Sequence, residues 1–301
     1  MKSVNELITL PAETRASIAL GKFEGLHIGH QKLIKKCVSY KGQGDSAIVF
    51  SFKLPGKVLL TAQEKKERLT GMGVDLLLES PLDERIKHMQ PEEFVREILV
   101  EHLHCRHLVV GEGFRFGYQR SGDTDILSRL GAVYDFSVEV IPQVKDAAQP
   151  VSSTYIRKEL ELGHIEKVNQ LLGYRFSTSG EVVHGRGLGH LIGVPTTNLI
   201  PPKEKLMPLY GVYMTLSHFE NQTFYGMTNV GFKPTVEAEG FLGVETYLYD
   251  CNQDLYGENS RVEFLSFLRE EKKFESVEAL KIQLDSDIAQ GKEFIRAFEQ
   301  R

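Results

Sequence analysis

Two histidines three residues apart stand in a glycine-rich stretch, Gly21-Lys22-Phe23-Glu24-Gly25-Leu26-His27-Ile28-Gly29-His30. The apolar run Ala16 to Leu20 before it reads as a strand. Gln31 to Ser39 after it reads as a helix with Leu33, Ile34, Cys37 and Val38 on one face. A turn that runs from a strand into a helix N-terminus is an anion site, because free backbone N–H groups and the positive end of the helix dipole face the same point. Gly21, Gly25 and Gly29 permit a tight turn and a close approach to a ligand. His27 and His30 would present both imidazoles from one helical turn to one ligand. Such a pair also suits zinc, but no cysteine or third histidine stands at ligand spacing, which favours phosphate over metal.

The elements needed to hold that stretch follow in order. Asp45 to Phe52, Val74 to Glu79, His107 to Gly111 and Phe136 to Ile141 read as strands, with helices over Thr61 to Met72, Pro91 to Leu103 and Thr124 to Leu130 between them. Pro91 suits a first helical position, and Glu92 and Glu93 suit its positive end. Alternating strands and helices predict βαβ units on a parallel sheet, with ligands at the carboxyl ends of the strands. The histidine stretch leaves the first of these strands at that edge. Val151 to Leu172 predicts two short helices, the second closed by Gly173.

Beyond Gly173 the helical period gives way to alternation. Gly180 to His184, Gly211 to Phe219, Thr223 to Val230, Gly243 to Tyr249 and Arg261 to Leu268 read as short strands of an antiparallel sandwich or barrel. Ser276 to about Phe298 reads as a closing helix with Val277, Leu280, Leu284 and Ile288 in one stripe. The predicted division is therefore 1–174 and 175–301. With 301 residues there is room for two ordinary domains, and 41% hydrophobic and 26% charged residues are globular proportions. A net charge of -5 argues against general nucleic-acid binding. Cys37, Cys105 and Cys251 have no pair spacing and sit in apolar runs, so they read as reduced thiols of a cytoplasmic protein. No secretory signal and no bilayer-length apolar run is expected, hence no membrane partner.

The ordered motifs resemble those of the bacterial bifunctional riboflavin kinase/FMN adenylyltransferases, or FAD synthetases. Gly21-x-Phe23-x-Gly25-x-His27-x-Gly29-His30 is similar to the nucleotidyltransferase signature of that family. Val110-Gly111-Glu112-Gly113-Phe114-Arg115-Phe116-Gly117, Arg120-Ser121-Gly122-Asp123 and Val151-Ser152-Ser153-Thr154-Tyr155-Ile156-Arg157 extend the resemblance. In the second half it continues through Gly185-Arg186-Gly187-Leu188-Gly189, Gly193-Val194-Pro195-Thr196-Thr197-Asn198 and Asn229-Val230-Gly231-Phe232-Lys233-Pro234-Thr235. Glu245, Leu255-Tyr256-Gly257 and Arg269-Glu270-Glu271-Lys272-Lys273-Phe274 complete the series.

The resemblance implies a Rossmann-like nucleotidyltransferase domain followed by a β-barrel riboflavin kinase domain with a terminal helix. It implies two ATP reactions on small molecules: phosphorylation of riboflavin to FMN, and adenylylation of FMN to FAD with release of pyrophosphate. His27 and His30 would bind ATP phosphates and stabilise charge developing on the α-phosphate. Gly21, Phe23, Gly25 and Gly29 would shape that site. Ser152, Ser153 and Thr154 would add to it, or cap a helix, and Arg157 would clamp phosphate. Arg115 and Phe116 suit flavin or its phosphate, with core packing as the plain alternative for the phenylalanine; Arg269 is implied as a further flavin contact. Gly185, Gly187, Gly189 and Gly193 would form a loop over phosphates, or ordinary barrel turns. Thr196 and Asn198 are hard oxygen donors suited to Mg²⁺ carried with ATP. Glu245 is implied as the base that takes the riboflavin hydroxyl proton.

The pattern departs from the family at Glu24, where aspartate is usual, and at Gly113, also usually aspartate. Phe52-Lys53-Leu54-Pro55 lacks a usual histidine, and Lys233 replaces a usual arginine. Two other readings use the same residues: a kinase with a decayed adenylyltransferase half, and a flavin-binding regulator without turnover.

Overall fold

The computed structural model describes residues 1–53, 55–185, 193–233 and 241–300. The chain divides into two compact units, Met1–Ser153 and Thr154–Arg301.

In the first unit the strands are β1 (Lys2–Val4), β2 (Ala16–Leu20), β3 (Ser46–Phe52), β4 (Leu76–Ser80), β5 (Cys105–Gly111) and β6 (Ser137–Ile141). They form a parallel sheet in the order β1-β4-β3-β2-β5-β6. The inner strands are buried on both faces: Ile18, Ile48, Phe50, Leu78 and Leu108 on one, and Ala19, Val49, Leu77 and Val109 on the other, are at most 2% exposed. That is why they read as unbroken apolar runs rather than alternating ones. Helices α1 (Ile28–Ser39) and α2 (Ala62–Gly71) cross from β2 to β3 and from β3 to β4. Helix α3 (Glu84–His88) follows Asp83, whose carboxylate accepts the Ile86 N–H at 2.8 Å. Helix α4 starts at Pro91–Glu93 and widens into π-type turns over Phe94–His102; the Leu103 N–H bonds to the carbonyl of Ile98 five residues back. Helix α5 (Thr124–Tyr134) is capped by Asp123. The short pair β7 (Lys145–Asp146) and β8 (Gln149–Pro150) ends the unit.

The chain builds outwards from β2 to β3 and β4, then returns to β5 on the other side of β2. The strand order therefore reverses at β2 and β5, and the crevice at their carboxyl ends is where open α/β sheets take ligands. The histidine stretch leaves β2 there.

The second unit opens with α6 (Ser153–Glu161) and α7 (Ile165–Leu172), which lead into β9 (Ser177–Val183). Strands β10 (Thr196–Leu199), β11 (Gly211–His218), β12 (Thr223–Lys233), β13 (Phe241–Leu248) and β14 (Asn259–Glu270) complete a closed antiparallel barrel, in the order β10-β13-β12-β11-β14-β9. Of the sandwich and the barrel, the structure has the barrel. Helix α8 (Val277–Glu299), capped by Ser276, packs Leu284, Ile288, Phe294 and Phe298 on the apolar cluster of Val212, Met214, Met227, Tyr249 and Leu265.

The expected division near residue 174 moves back to Ser153/Thr154. The reason is local: α6 and α7 are bonded to the barrel. The Asn169 amide accepts the Phe176 N–H at 2.7 Å and donates to the Phe264 carbonyl at 2.8 Å. The Leu209 N–H donates to the Leu160 carbonyl at 3.1 Å. No helix among the described residues is long and apolar enough to cross a membrane.

Candidate active sites

In the first unit, the left-handed backbone of the histidine loop falls at Phe23 (φ 42°) and Leu26 (φ 43°) rather than at its glycines. Gly29 has a different task. A Cβ there would press on the His27 ring at 3.1 to 3.2 Å, so the missing side chain is what seats that imidazole. His27 is the N-cap of α1 and its Nδ1 accepts the backbone N–H of His30 at 3.3 Å. An accepting Nδ1 puts the proton of the neutral ring on Nε2, which leaves Nε2–H free to donate elsewhere. The two imidazoles stack with centroids 3.7 Å apart, and Phe23 leans on His30 at 5.0 Å.

Burial pushes the His27 pKa down to about 4. Burial lowers that of His30 as well, and the neighbouring charges of His27 and Lys65 lower it further. Both rings are neutral at pH 7, so they offer N–H donors and no net charge. The His30 Nδ1 is buried and has no hydrogen-bond partner among the described residues. Glu24, the substituted position, is buried, and its carboxylate accepts the Leu59 N–H at 3.3 Å.

The remaining first-half candidates separate. Ser152 and Ser153 end the first unit, whereas Thr154 and Arg157 stand in α6 of the second. Arg115 is exposed and donates to Asp123 at 3.0 Å. Phe116 is buried in the sheet's core cluster between Phe94 and Phe114, so its ring is spent on packing. Core packing, the plain alternative for this phenylalanine, describes its contacts here.

In the second unit one cross-strand row gathers three of the polar candidates. Asn198 of β10 and Asn229 of β12 lie in register on either side of Glu245 of β13. Directly opposite residues point to the same face of a sheet. The Thr196 hydroxyl donates to Glu245 Oε1 at 2.7 Å. Gly185, just past β9, leaves the space that the Asn198 amide fills; a Cβ there would collide with that amide. His184 stacks on Tyr256 at 3.8 Å beside this row. Gly193 has a left-handed φ of 79°. Gly187 and Gly189 lie outside the described residues.

Arg269 sits in the same register row through Val212, but its guanidinium is committed. Nε and Nη2 grip the carboxylate of Asp287 on α8 at 2.6 to 3.1 Å, and Nη1 donates to the Glu270 carbonyl. Asp287 is 2% exposed. This pairing clamps β14 to α8. Sequence reading assigned no role to Asn229, although its motif was visible. It also overlooked Lys65 and Glu79, whose pairing spans a helix and a strand.

The FAD synthetase family model matches residues 10–155 and the riboflavin kinase family model residues 172–295. Bifunctional riboflavin kinase/FMN adenylyltransferases align over nearly the whole length. That of Pseudomonas fluorescens is 34% identical, covering 96% of both chains. That of Listeria monocytogenes is 31% identical, covering 94% of this chain and 93% of the relative. This chain belongs to that family. The Escherichia coli K12 member is 30% identical, covering 98% of this chain and 97% of its own. A crystal structure described as a macrolide-efflux protein from Streptococcus pneumoniae matches with a TM-score of 0.87 at 26% identity, over 97% of this chain and 99% of that one.

Proposed function

We propose that the chain carries out two ATP-dependent reactions, phosphorylation of riboflavin to FMN in the second unit and transfer of AMP to FMN in the first. The observation that carries the reading is the row in which Glu245 stands between Asn198 and Asn229 and holds the Thr196 hydroxyl at 2.7 Å. A half-buried carboxylate with polar neighbours on both flanks is placed to take a proton from a substrate hydroxyl. Phosphoryl transfer needs positioning and charge neutralisation more than covalent help, so one base suffices.

The residues also fit a magnesium ion. Because the Thr196 proton is directed at Glu245, its oxygen lone pairs remain available, and the Asn198 amide supplies a second hard oxygen. Mg²⁺ held there with ATP would neutralise charge on the phosphates. Gly185 leaves the space the Asn198 amide occupies, and Gly193 supplies a left-handed turn just before Pro195-Thr196-Thr197-Asn198.

In the first unit, His27 and His30 bind the ATP phosphates through neutral N–H groups at the helix N-terminus, and Gly21, Phe23, Gly25 and Gly29 form the turn that brings them there. Ser152 and Ser153, which end the first unit, add phosphate contacts, and exposed Arg115 is available to FMN. The buried free thiols of Cys37 and Cys105 support a place in the reducing cytoplasm.

The test is one incubation of the purified chain with riboflavin, ATP and MgCl₂, resolved by chromatography. FMN followed by FAD is expected. Glu245→Gln should stop FMN formation while FAD still forms from added FMN, and His30→Ala should do the reverse. Neither product from the wild-type chain would overturn the reading, and FMN alone would leave only the kinase half.

A further inference from the structure

Lys65 of α2 and Glu79 of β4 form an ion pair, Nζ to Oε1 at 2.5 Å, with side chains only 9% and 11% exposed. Burying two charges is expensive, and a buried pair is weak evidence of a stabilising role. Its position suggests another reason. Glu79 lies in register with Ser51 on β3, and the Ser51 hydroxyl donates to the carbonyl of Lys22 in the histidine loop at 2.7 Å. Phe50, one residue earlier, is in register with Leu20 at the end of β2. Glu79 is thus level with the loop, at the carboxyl edge where the nucleotide binds. The β2–α1–β3 and β3–α2–β4 crossovers step the same way along the sheet, which places α1 and α2 on one face. Lys65 therefore shares a face with His30, whose protonation its charge opposes.

The loop itself is short of charge. His27 and His30 are neutral, the His30 Nδ1 is a buried atom with no partner among the described residues, and the loop's own lysine, Lys22, is exposed. A polyphosphate with several negative charges needs a fixed cation at the site that binds it.

We propose that Lys65 is a phosphate-binding residue of the adenylyl-transfer site, held in place by Glu79 until a nucleotide triphosphate arrives. An ammonium has three N–H donors. One stays on Glu79 while another turns to a phosphate oxygen, so the carboxylate is never left alone. The proposal rests on the adenylyl-transfer reading of the first unit.

The test uses the full-length chain with FMN and ATP, and measures KM for ATP and kcat for FAD formation. Riboflavin phosphorylation by the same samples reports on the integrity of the protein. Lys65→Met should raise KM for ATP about 10- to 100-fold, the range of a lost charge-assisted hydrogen bond, and leave riboflavin phosphorylation unchanged. Lys65→Arg should recover part of the loss. Because Lys65→Met strands a buried Glu79, the double variant Lys65→Met/Glu79→Leu decides the matter. A purely structural pair would be relieved by removing both charges, whereas a phosphate ligand would still be missing. A double variant as defective in KM as the single supports the proposal. A wild-type KM in either variant overturns it. A wild-type chain that makes FMN but no FAD would instead sink the adenylyl-transfer reading itself.

Discussion

Acidification should destabilise the first unit through one side chain. His27 is 6% exposed, and burial moves its pKa from the ordinary 6.5 to about 4. In the unfolded chain the imidazole takes up a proton as pH falls through 6.5; in the folded chain it resists until about pH 4. Between those values the unfolded state binds more protons, so stability falls as pH falls, and above pH 6.5 this contribution is fully present. The difference of 6.5 − 4 units, at roughly 1.4 kcal/mol per unit, gives about 3.5 kcal/mol in all, of which about 2.5 kcal/mol is lost by about pH 4.5. His30, also lowered, acts in the same direction. Carboxylates titrate over the same range, so the informative quantity is a difference between two proteins. His27→Asn keeps a capping acceptor for α1 and removes the titrating ring. Amide hydrogen exchange in peptides from β2 and α1, followed from pH 7 to pH 4.5 against urea, reads the stability of this unit separately from the barrel. The wild-type chain should lose about 2.5 kcal/mol more than the variant. The histidine Cε1–H resonances give the pKa directly. A His27 ring titrating near 6.5 in the folded protein, or parallel pH profiles for the two chains, would refute the reasoning.

Other perturbations address the barrel. Glu245→Gln should lower kcat for riboflavin phosphorylation by about 10²- to 10⁴-fold, the contribution of a general base, with little change in KM for ATP; steady-state kinetics check it. Gly185→Ala should force the Asn198 amide aside and weaken the kinase reaction selectively, while FAD formation from FMN is retained; product chromatography separates the two. Asp287→Asn should leave the Arg269 guanidinium without its carboxylate and cost about 3–5 kcal/mol. Thermal unfolding should then show the barrel transition several degrees lower and that of the first unit unmoved.

The turn into α1 was legible because glycines, two histidines and an apolar helical face stand in a row. That His27 caps the helix, and that Gly29 makes room for its ring, depends on rotamers that spacing does not encode. The strand β10 escaped notice because Thr196-Thr197-Asn198-Leu199 is short and polar, and pairing with β13 rather than its own pattern makes it a strand. The compact units divide earlier than residue 174 because α6 and α7, which look like a continuation of the βα pattern, are bonded to Phe176 and Phe264 beside the barrel. Arg269 reads as a ligand contact in sequence; its partner Asp287 stands 18 residues away on another element. Local patterns exposed the elements and the loop, whereas partners distant in sequence decided which charged side chains were already engaged.

The hydrogen bond from the His30 N–H to the His27 ring ties reactivity to architecture. The ring proposed to face the nucleotide also begins the helix, and the helix in turn fixes which ring nitrogen bears the proton. Few replacements can satisfy both demands. Asparagine or serine can cap α1 but cannot extend an N–H as far as imidazole, and lysine can reach a phosphate but cannot accept at the cap. Position 27 is therefore closed to gradual tuning. Changes in nucleotide preference or rate must come from the surrounding residues, while the ring itself stays as it is.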